Sequence, residues 1–304
     1  MRTDRVSARA PHPGGARWRG WGRSTVPGLY VVRVPCAGTL AVWIAVAVLI
    51  LIAGLCASAP LITALDPVAT DTTARNLPPG SAGHPLGTDT LGHDLWTRLL
   101  YGGRTSLLVG VSAAAATVLI GVFLGVVAAQ GPRWLDAIVT RVADTMLALP
   151  LLIVVLALSA VFGGSLTVVI VAISLTSWMP VALITRAELR SQRQRRYVRA
   201  ARSLALSSAQ VLMRHTLPGT LPPVASIAAF EVGHAILTES TLSFLGLGVP
   251  PNRPAWGTLL DNAQSHLLTG QWYTVALPAS AIIVTILAVN IIASGLSPVR
   301  NRAW

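Results

Sequence analysis

The chain has 304 residues, 53% of them hydrophobic and only 11% charged, with a mean hydropathy of +0.64. A water-soluble domain carries about 25% charged residues, so the composition excludes an aqueous globular protein. The formal net charge is +12 and all 23 basic residues are arginine; they stand in blocks beside apolar spans, as inward-facing loops do, which argues against nucleic acid as the partner.

In chain order, residues 1–36 come first, with seven Arg against one acid, scattered Pro and Gly and no apolar period. They read as a disordered basic tail on the cytoplasmic side. Residues 39–59 form an apolar run of 21 residues, enough for one crossing. Ala57-Ser58-Ala59 resembles a signal-peptidase site. The run is too long for the apolar part of a signal peptide, however, and Pro60 would follow the cut, so an uncleaved anchor is expected. Cys36 and Cys56 bracket this run. A helix of that length separates them by about 30 Å, beyond disulfide reach, and two inert thiols are expected.

Residues 60–104 are polar and balance Asp66, Asp71, Asp89 and Asp94 against Arg75, Arg98 and Arg104. Lacking an arginine excess, they are expected outside, so 37–104 reads as a first span with its outer loop. Five further apolar runs follow at 105–129, 143–162, 166–185, 221–245 and 272–294, within a helical core of 105–295; a short tail of 296–304 closes the chain. The fold class is an all-α membrane protein with six transmembrane helices and both termini on one side. With the N-terminus inside, inner segments hold 18 Arg and outer ones 4, which decides for both termini in the cytoplasm. Gly121-x-x-x-Gly125 fits the small-residue pattern that lets membrane helices approach closely.

The polar insertion over 186–220 is far longer than an ordinary connection between packed helices. Tyr197, Ala201 and Leu204 recur at helical spacing, with Val198 and Ala205 beside them and Arg195, Arg199 and Arg202 opposite, which predicts a short amphipathic helix. Ser207-Ser-Ala-Gln210 fits a capping box opening a second helix, expected to stop before Pro218. The residues alone leave two readings open: an interfacial helix holding lipid phosphates on its arginine stripe, or an elbow that docks a soluble partner.

At these residues the chain resembles the EAA loop of ABC-importer permeases. Arg199-Ala200-Ala201, Ala205 after three residues, and His215-Thr-Leu217-Pro218 after nine more keep that loop's spacing. Further runs narrow the resemblance to the second permease subunit of the oligopeptide, dipeptide and nickel importers. These are Pro85-Leu-Gly-Thr-Asp-Thr-Leu-Gly-His-Asp-Leu95, Arg141-Val-Ala-Asp144 with Leu149-Pro150, Trp178-Met-Pro180 with Arg186, and Glu239-Ser-Thr-Leu-Ser-Phe-Leu-Gly-Leu-Gly248 with Trp256-Gly257. The resemblance covers about residues 85–295. It implies the type I importer permease fold in the cytoplasmic membrane of a bacterium and a transporter subunit in place of an enzyme. The implied partners are a homologous second permease, two ATPase subunits, an extracytoplasmic substrate-binding protein and membrane lipid. The implied ATPase-coupling residues are Tyr197, Arg199, Ala200, Ala201, Leu204, Ala205, Leu217 and Pro218. Three positions depart from the pattern: Arg199 stands where the family has Glu, Ala205 where it has Gly, and Arg196 where an acid is usual. A non-glycine residue in a left-handed turn costs about 1–2 kcal/mol, so an elbow built on Ala205 is expected to bend differently.

Glu231, His234 and Glu239 lie within one apolar run, where charged groups are expensive and face a bundle interior or a water path. Glu231 and His234 are three apart and share a face; they line a translocation path or join helices by hydrogen bonds. Glu239 lies in the resembling run and reads as structural, and Arg141 with Asp144 reads as a structural pair. No H-x-x-H or C-x-x-C occurs, so no metal is expected. No Gly-Lys-Ser phosphate loop occurs either, so no cofactor is expected in this chain, ATP and magnesium belonging to the partner ATPases. Two other functions remain at this stage: a membrane-embedded enzyme using Glu231, His234 and Asp144, and a proton-coupled carrier.

Overall fold

The computed structural model describes residues 38–297 apart from 204–206, 251 and 268–269. The tail expected over 1–36, most of that over 296–304, and Cys36, Leu204 and Ala205 lie outside the described residues. Within them every regular element is helical, and strand-like pairing is limited to two isolated bridges, Ser81 with His84 and Thr88 with Asp94.

Helix α1 (Thr39–Ala57) is apolar on every side and buries only Ala45 and Cys56. A helix without a polar face belongs in lipid or a core, and this one leaves most of its surface to lipid. The single turn α2 (Ala59–Ile62) follows, and the outer loop leads to α3 (Leu95–Gln130), 36 residues long. At 1.5 Å per residue α3 reaches about 54 Å, more than a bilayer core needs, so it projects at its ends. Asp94 caps it by accepting from Thr97 N at 2.8 Å and Thr97 Oγ1 at 2.6 Å.

The third expected span, 143–162, is not one helix. Helices α4 (Arg133–Leu147) and α5 (Leu151–Phe162) meet there at 88°. Pro150 has no N–H to return to Met146 and ends the ladder; Leu149 N closes that turn on Met146 O at 3.1 Å instead. Among the described residues five helices are long and apolar enough to cross a membrane, or six if the bent pair counts as one span.

Helix α6 (Leu166–Arg193) leads into the elbow helices α7 (Arg196–Ser203) and α8 (Ser208–Val211). Pro218 does not stop the second of these. A π turn over Leu212–Thr216 joins α8 to α9 (Leu217–Phe244) without a break, and Ala209–Phe244 runs as one candidate span. The wider turn relieves the ladder ahead of the proline, and Thr216 Oγ1 donates to Val211 O within it at 3.1 Å. Pro218 then sits in the first turn of α9, where a missing N–H matters least. Helices α10 (Trp256–Leu267) and α11 (Tyr273–Leu296) complete the chain.

Helix α3 is the central column and packs mainly against α6 and α9, while α11 packs against α9 and α1. The glycine pair makes the α3–α6 approach possible. A Cβ on Gly121 would lie 2.8 Å from Trp178 O, and one on Gly125 2.7 Å from Ala182 O. Val109, Ala113, Ile173 and Leu242 fill the seam of α3, α6 and α9, and Ala128, Val139, Met179 and Ala182 fill that of α3, α4 and α6.

Candidate functional site: the arginine-rich elbow and its anchors

The insertion folds as two short helices, but its buried face differs from the expected one. Val198 is fully buried and Ala201 nearly so, three residues apart, whereas Tyr197 is 50% exposed. Arg195, Arg196, Arg199 and Ala200 face outward. The capping box forms in both directions: Gln210 N donates to Ser207 Oγ at 3.3 Å, and Ser207 N to Gln210 Oε1 at 3.0 Å. Beyond it Arg214 and Pro218 are exposed and Leu217 is half-buried. No acid occurs between Glu188 and Glu231, so the charges that the elbow presents are all cationic.

The end of α6 that carries the elbow is fastened to its neighbours. On α4, Asp136 accepts from Arg186 through both carboxylate oxygens and pairs with Arg190 Nη2 at 2.7 Å. Arg193 Nη1 donates to Ala129 O at 2.8 Å and its Nη2 to Gln130, which satisfies the C-terminal end of α3. Gln192 is buried where the elbow leaves α6. Its Nε2 donates to Glu188 Oε1 at 2.7 Å and to Gly219 O at 3.0 Å, and its Oε1 accepts from Tyr197 OH at 2.9 Å. Sequence reasoning singled out neither Asp136 nor Gln192. Asp136 and Arg186 are 50 positions apart, and no spacing rule links them.

At membrane depth, Glu231 is buried on α9 and its Oε2 lies 4.0 Å from His234 Nδ1. Both line an open groove of about 420 Å³ between α9 and α11, with Phe230, Leu237, Ile286 and Asn290. Asp144 does not line it, so the triad of an embedded enzyme is not assembled. Arg141 and Asp144 are both exposed on α4, and no ion pair joins them. The expected structural pair is thus replaced by Asp136 with Arg186 and Arg190, because those arginines reach the solvent-side end of α4.

Glu239 is fully buried at the far end of α9. Its Oε1 accepts from Ser243 Oγ at 2.7 Å, and Ser240 Oγ approaches Oε2 at 3.4 Å. Ser243 Oγ accepts in turn from Val249 N at 3.2 Å, and Ser106 Oγ on α3 from Trp256 N at 3.2 Å. Close approach explains Gly248 and Gly257: a Cβ on Gly248 would lie 2.5 Å from Ser243 Cα, and one on Gly257 2.7 Å from Ser243 Cβ.

The outer loop closes on a second buried polar knot. Asp89 Oδ2 lies 2.8 Å from His93 Nδ1 and accepts from Arg98 Nη1 at 2.9 Å, while Oδ1 accepts from Leu91 N and His93 N, each at 2.9 Å. Burial alone would push the Asp89 carboxyl up. The His93 side-chain and backbone bonds and the charge of Arg98 prevail and hold it below the usual carboxylate range. His84 Nδ1 adds a contact to Asp94 Oδ1 at 3.0 Å.

Comparison with known proteins places these features in context. Residues 121–302 match the family model described as binding-protein-dependent transport system inner membrane component. A Brucella suis biovar 1 protein named as a peptide transport system permease is 37% identical over 244 residues, covering 80% of this chain and 81% of that one. Another from the same organism, named as a peptide permease, is 38% identical over 238 residues, 78% of each chain. A protein named as a dipeptide transport system permease in Alkalihalophilus pseudofirmus is 34% identical over 238 residues, again 78% of each.

Proposed function

The chain belongs to the family of binding-protein-dependent transport system inner membrane components, and from that premise we propose that it is one of two permease subunits of an ATP-driven importer of peptides. Two ATPases dock in the cytoplasm, one of them on the elbow of 197–218. A binding protein delivers peptide at the outer loops, and closure of the ATPases tilts the elbow to switch the spans between outward and inward access. The observation that carries this reading is the elbow itself. It is an exposed, capped two-helix unit at the arginine-rich end, bonded through Tyr197 to Gln192 at the end of α6, and that end of α6 is itself fastened to α4 by Asp136, to α3 by Arg193 and to α9 by Gln192. A lipid-binding helix would need the cations but not those fastenings.

Peptide as the substrate class follows from the names of the relatives, since importers of this kind select mainly through the binding protein. Glu231 and His234 are assigned to the translocation path, because their groove is open in this subunit and polar groups at this depth are costly unless they face water or a partner. The cationic elbow surface is matched in this reading by acids in the docking groove of its ATPase, so that a pair which resembling permeases make with Glu is here reversed at Arg199.

The test is reconstitution of the chain with its second permease, ATPases and binding protein in vesicles. Labelled dipeptide uptake that requires both ATP and the binding protein is expected. Uptake that persists without ATP and follows a proton gradient would replace this reading with a carrier. Glu231→Gln is expected to change the uptake rate while the complex still assembles; loss of assembly would make Glu231 a packing residue.

A further inference from the structure

Helix α9 contains Pro222 and Pro223 side by side. In an α-helix each carbonyl accepts from the N–H four residues on. Proline has none, so the carbonyls of Pro218 and Gly219 lose their ladder partners. A buried unpaired carbonyl is costly. At Gly219 the missing donor comes from outside the helix: Gln192 Nε2, at the end of α6, donates to that oxygen at 3.0 Å. The position admits little else, because a Cβ on residue 219 would come within 3.0 Å of the Gln192 amide. The same amide bonds Glu188 and receives the Tyr197 hydroxyl of α7. Both amide donors and its acceptor are therefore used, and one side chain joins the span entering the elbow, the elbow helix, and the span leaving it.

We propose that Gln192 is a coupling pin: a positioning residue that transmits displacement of the elbow to α9 at the point where the proline pair has interrupted the ladder of that helix. Two features support a moving joint over a static brace. The π turn of Leu212–Thr216 lies less than two turns before the proline pair, so α9 is weakened on both sides of Gly219. The bond that replaces the ladder is made by a side chain, which can follow a tilting helix by rotating, as a backbone bond cannot.

This inference rests on the elbow being the ATPase-docking element. It is tested in the complete reconstituted transporter by measuring peptide uptake and ATP hydrolysis in the same vesicles. Gln192→Leu keeps the volume but neither donates nor accepts. It is expected to lower uptake per ATP about tenfold while hydrolysis stays within about twofold, the size of effect that loss of a buried hydrogen bond or two carries. Tyr197→Phe is expected to lower it about threefold, and the double variant to be no worse than Gln192→Leu, because contacting residues are not additive. Pro223→Ala placed on Gln192→Leu returns an N–H to Gly219 O. It is expected to restore the yield of assembled complex but not uptake per ATP. Unchanged uptake per ATP in Gln192→Leu would overturn the pin, and so would recovery of coupling by Pro223→Ala, which would reduce Gln192 to a filler of one carbonyl. Should Gln192→Leu fail to assemble, the half-exposed Tyr197→Phe carries the test, and unaltered coupling there overturns the pin. Wild-type vesicles that show no ATP-dependent uptake at all would refute the transport reading itself, and the pin with it.

Discussion

The two ends of the bundle solve the same problem in opposite ways. At the loop-bearing end, buried polar groups are cross-linked several times over. Asp89 takes four contacts from His93, Arg98 and Leu91, and Glu239 holds Ser240 and Ser243 while Ser243 holds the loop beyond α9. At the arginine-rich end, helices are interrupted at Pro150, at the π turn and at Pro222-Pro223, and the bonds at these breaks are Leu149 N to Met146 O, Thr216 Oγ1 to Val211 O and Gln192 Nε2 to Gly219 O. Buried networks with many bonds are stiff, whereas segments with few, replaceable bonds open at lower cost. The first end is tied by many bonds around Asp89 and Glu239, the second by few.

This contrast can be broken by experiment. The largest effect is expected at Glu239. Glu239→Ala leaves buried serine hydroxyls unpaired and a void behind them, and should destabilise the purified subunit by about 3 kcal/mol, read as a lower unfolding temperature in detergent. A change near zero would mean that the loop-bearing end is not clamped through this residue.

Asp89 is next, with Asp89→Asn expected to cost about 2 kcal/mol through the lost pairing with Arg98 and His93. Its folded-state pKa lies below the ordinary value. Its stabilisation is therefore complete above the usual carboxylate range and is lost as pH falls through that range, from about pH 4 downward. Wild-type unfolding temperature should drop over that interval more than that of Asp89→Asn; equal pH profiles would remove Asp89 from the account.

At the elbow the effects should appear in coupling and leave folding intact. Arg199→Glu is expected to lower binding-protein-stimulated ATP hydrolysis about tenfold, the lower end of what a lost interfacial charge pair costs. A reversed charge in the ATPase groove should recover part of it. Unimpaired coupling, or a groove without an acid near Arg199, would contradict the reversed pair. The smallest effect belongs to Gln210→Ala, which removes half of the capping box. A loss of about 1 kcal/mol in local helix stability should speed amide exchange over 207–211 and leave the Asp89 loop unchanged.

Much of this architecture was legible in the sequence, for identifiable reasons. Spans announce themselves by length and hydropathy, and Gly121 with Gly125, the Ser207 capping box and the elbow are local signals that survive packing. Of the elbow's expected buried face Ala201 and the adjoining Val198 are buried and Tyr197 is not, because Tyr197 and Val198 are both apolar enough to anchor it and only the neighbouring helices decide between them. The third span was drawn through Leu149-Pro150 because hydropathy does not register a bend, although Pro150 marked its place. Pro218 misled in the opposite sense: a π turn absorbs it, and no residue pattern signals that turn. Gln192 and Asp136 were invisible because their partners lie across the fold. Arg141 and Asp144 looked paired because they are neighbours on one helix face, yet both turn outward.

The central claim is that the arginine-rich elbow meets an ATPase in the cytoplasm while the Asp89 loop does not. It is tested most directly by single-cysteine cross-linking in the assembled transporter, with Cys36 and Cys56 changed to serine. Ala200→Cys on the exposed face of α7 should form an adduct with the ATPase subunit that varies with bound nucleotide. Ala82→Cys in the outer loop should form none, and should instead react with a membrane-impermeant thiol reagent from outside. An ATPase adduct at position 82, or none at position 200 while the complex hydrolyses ATP, would contradict it.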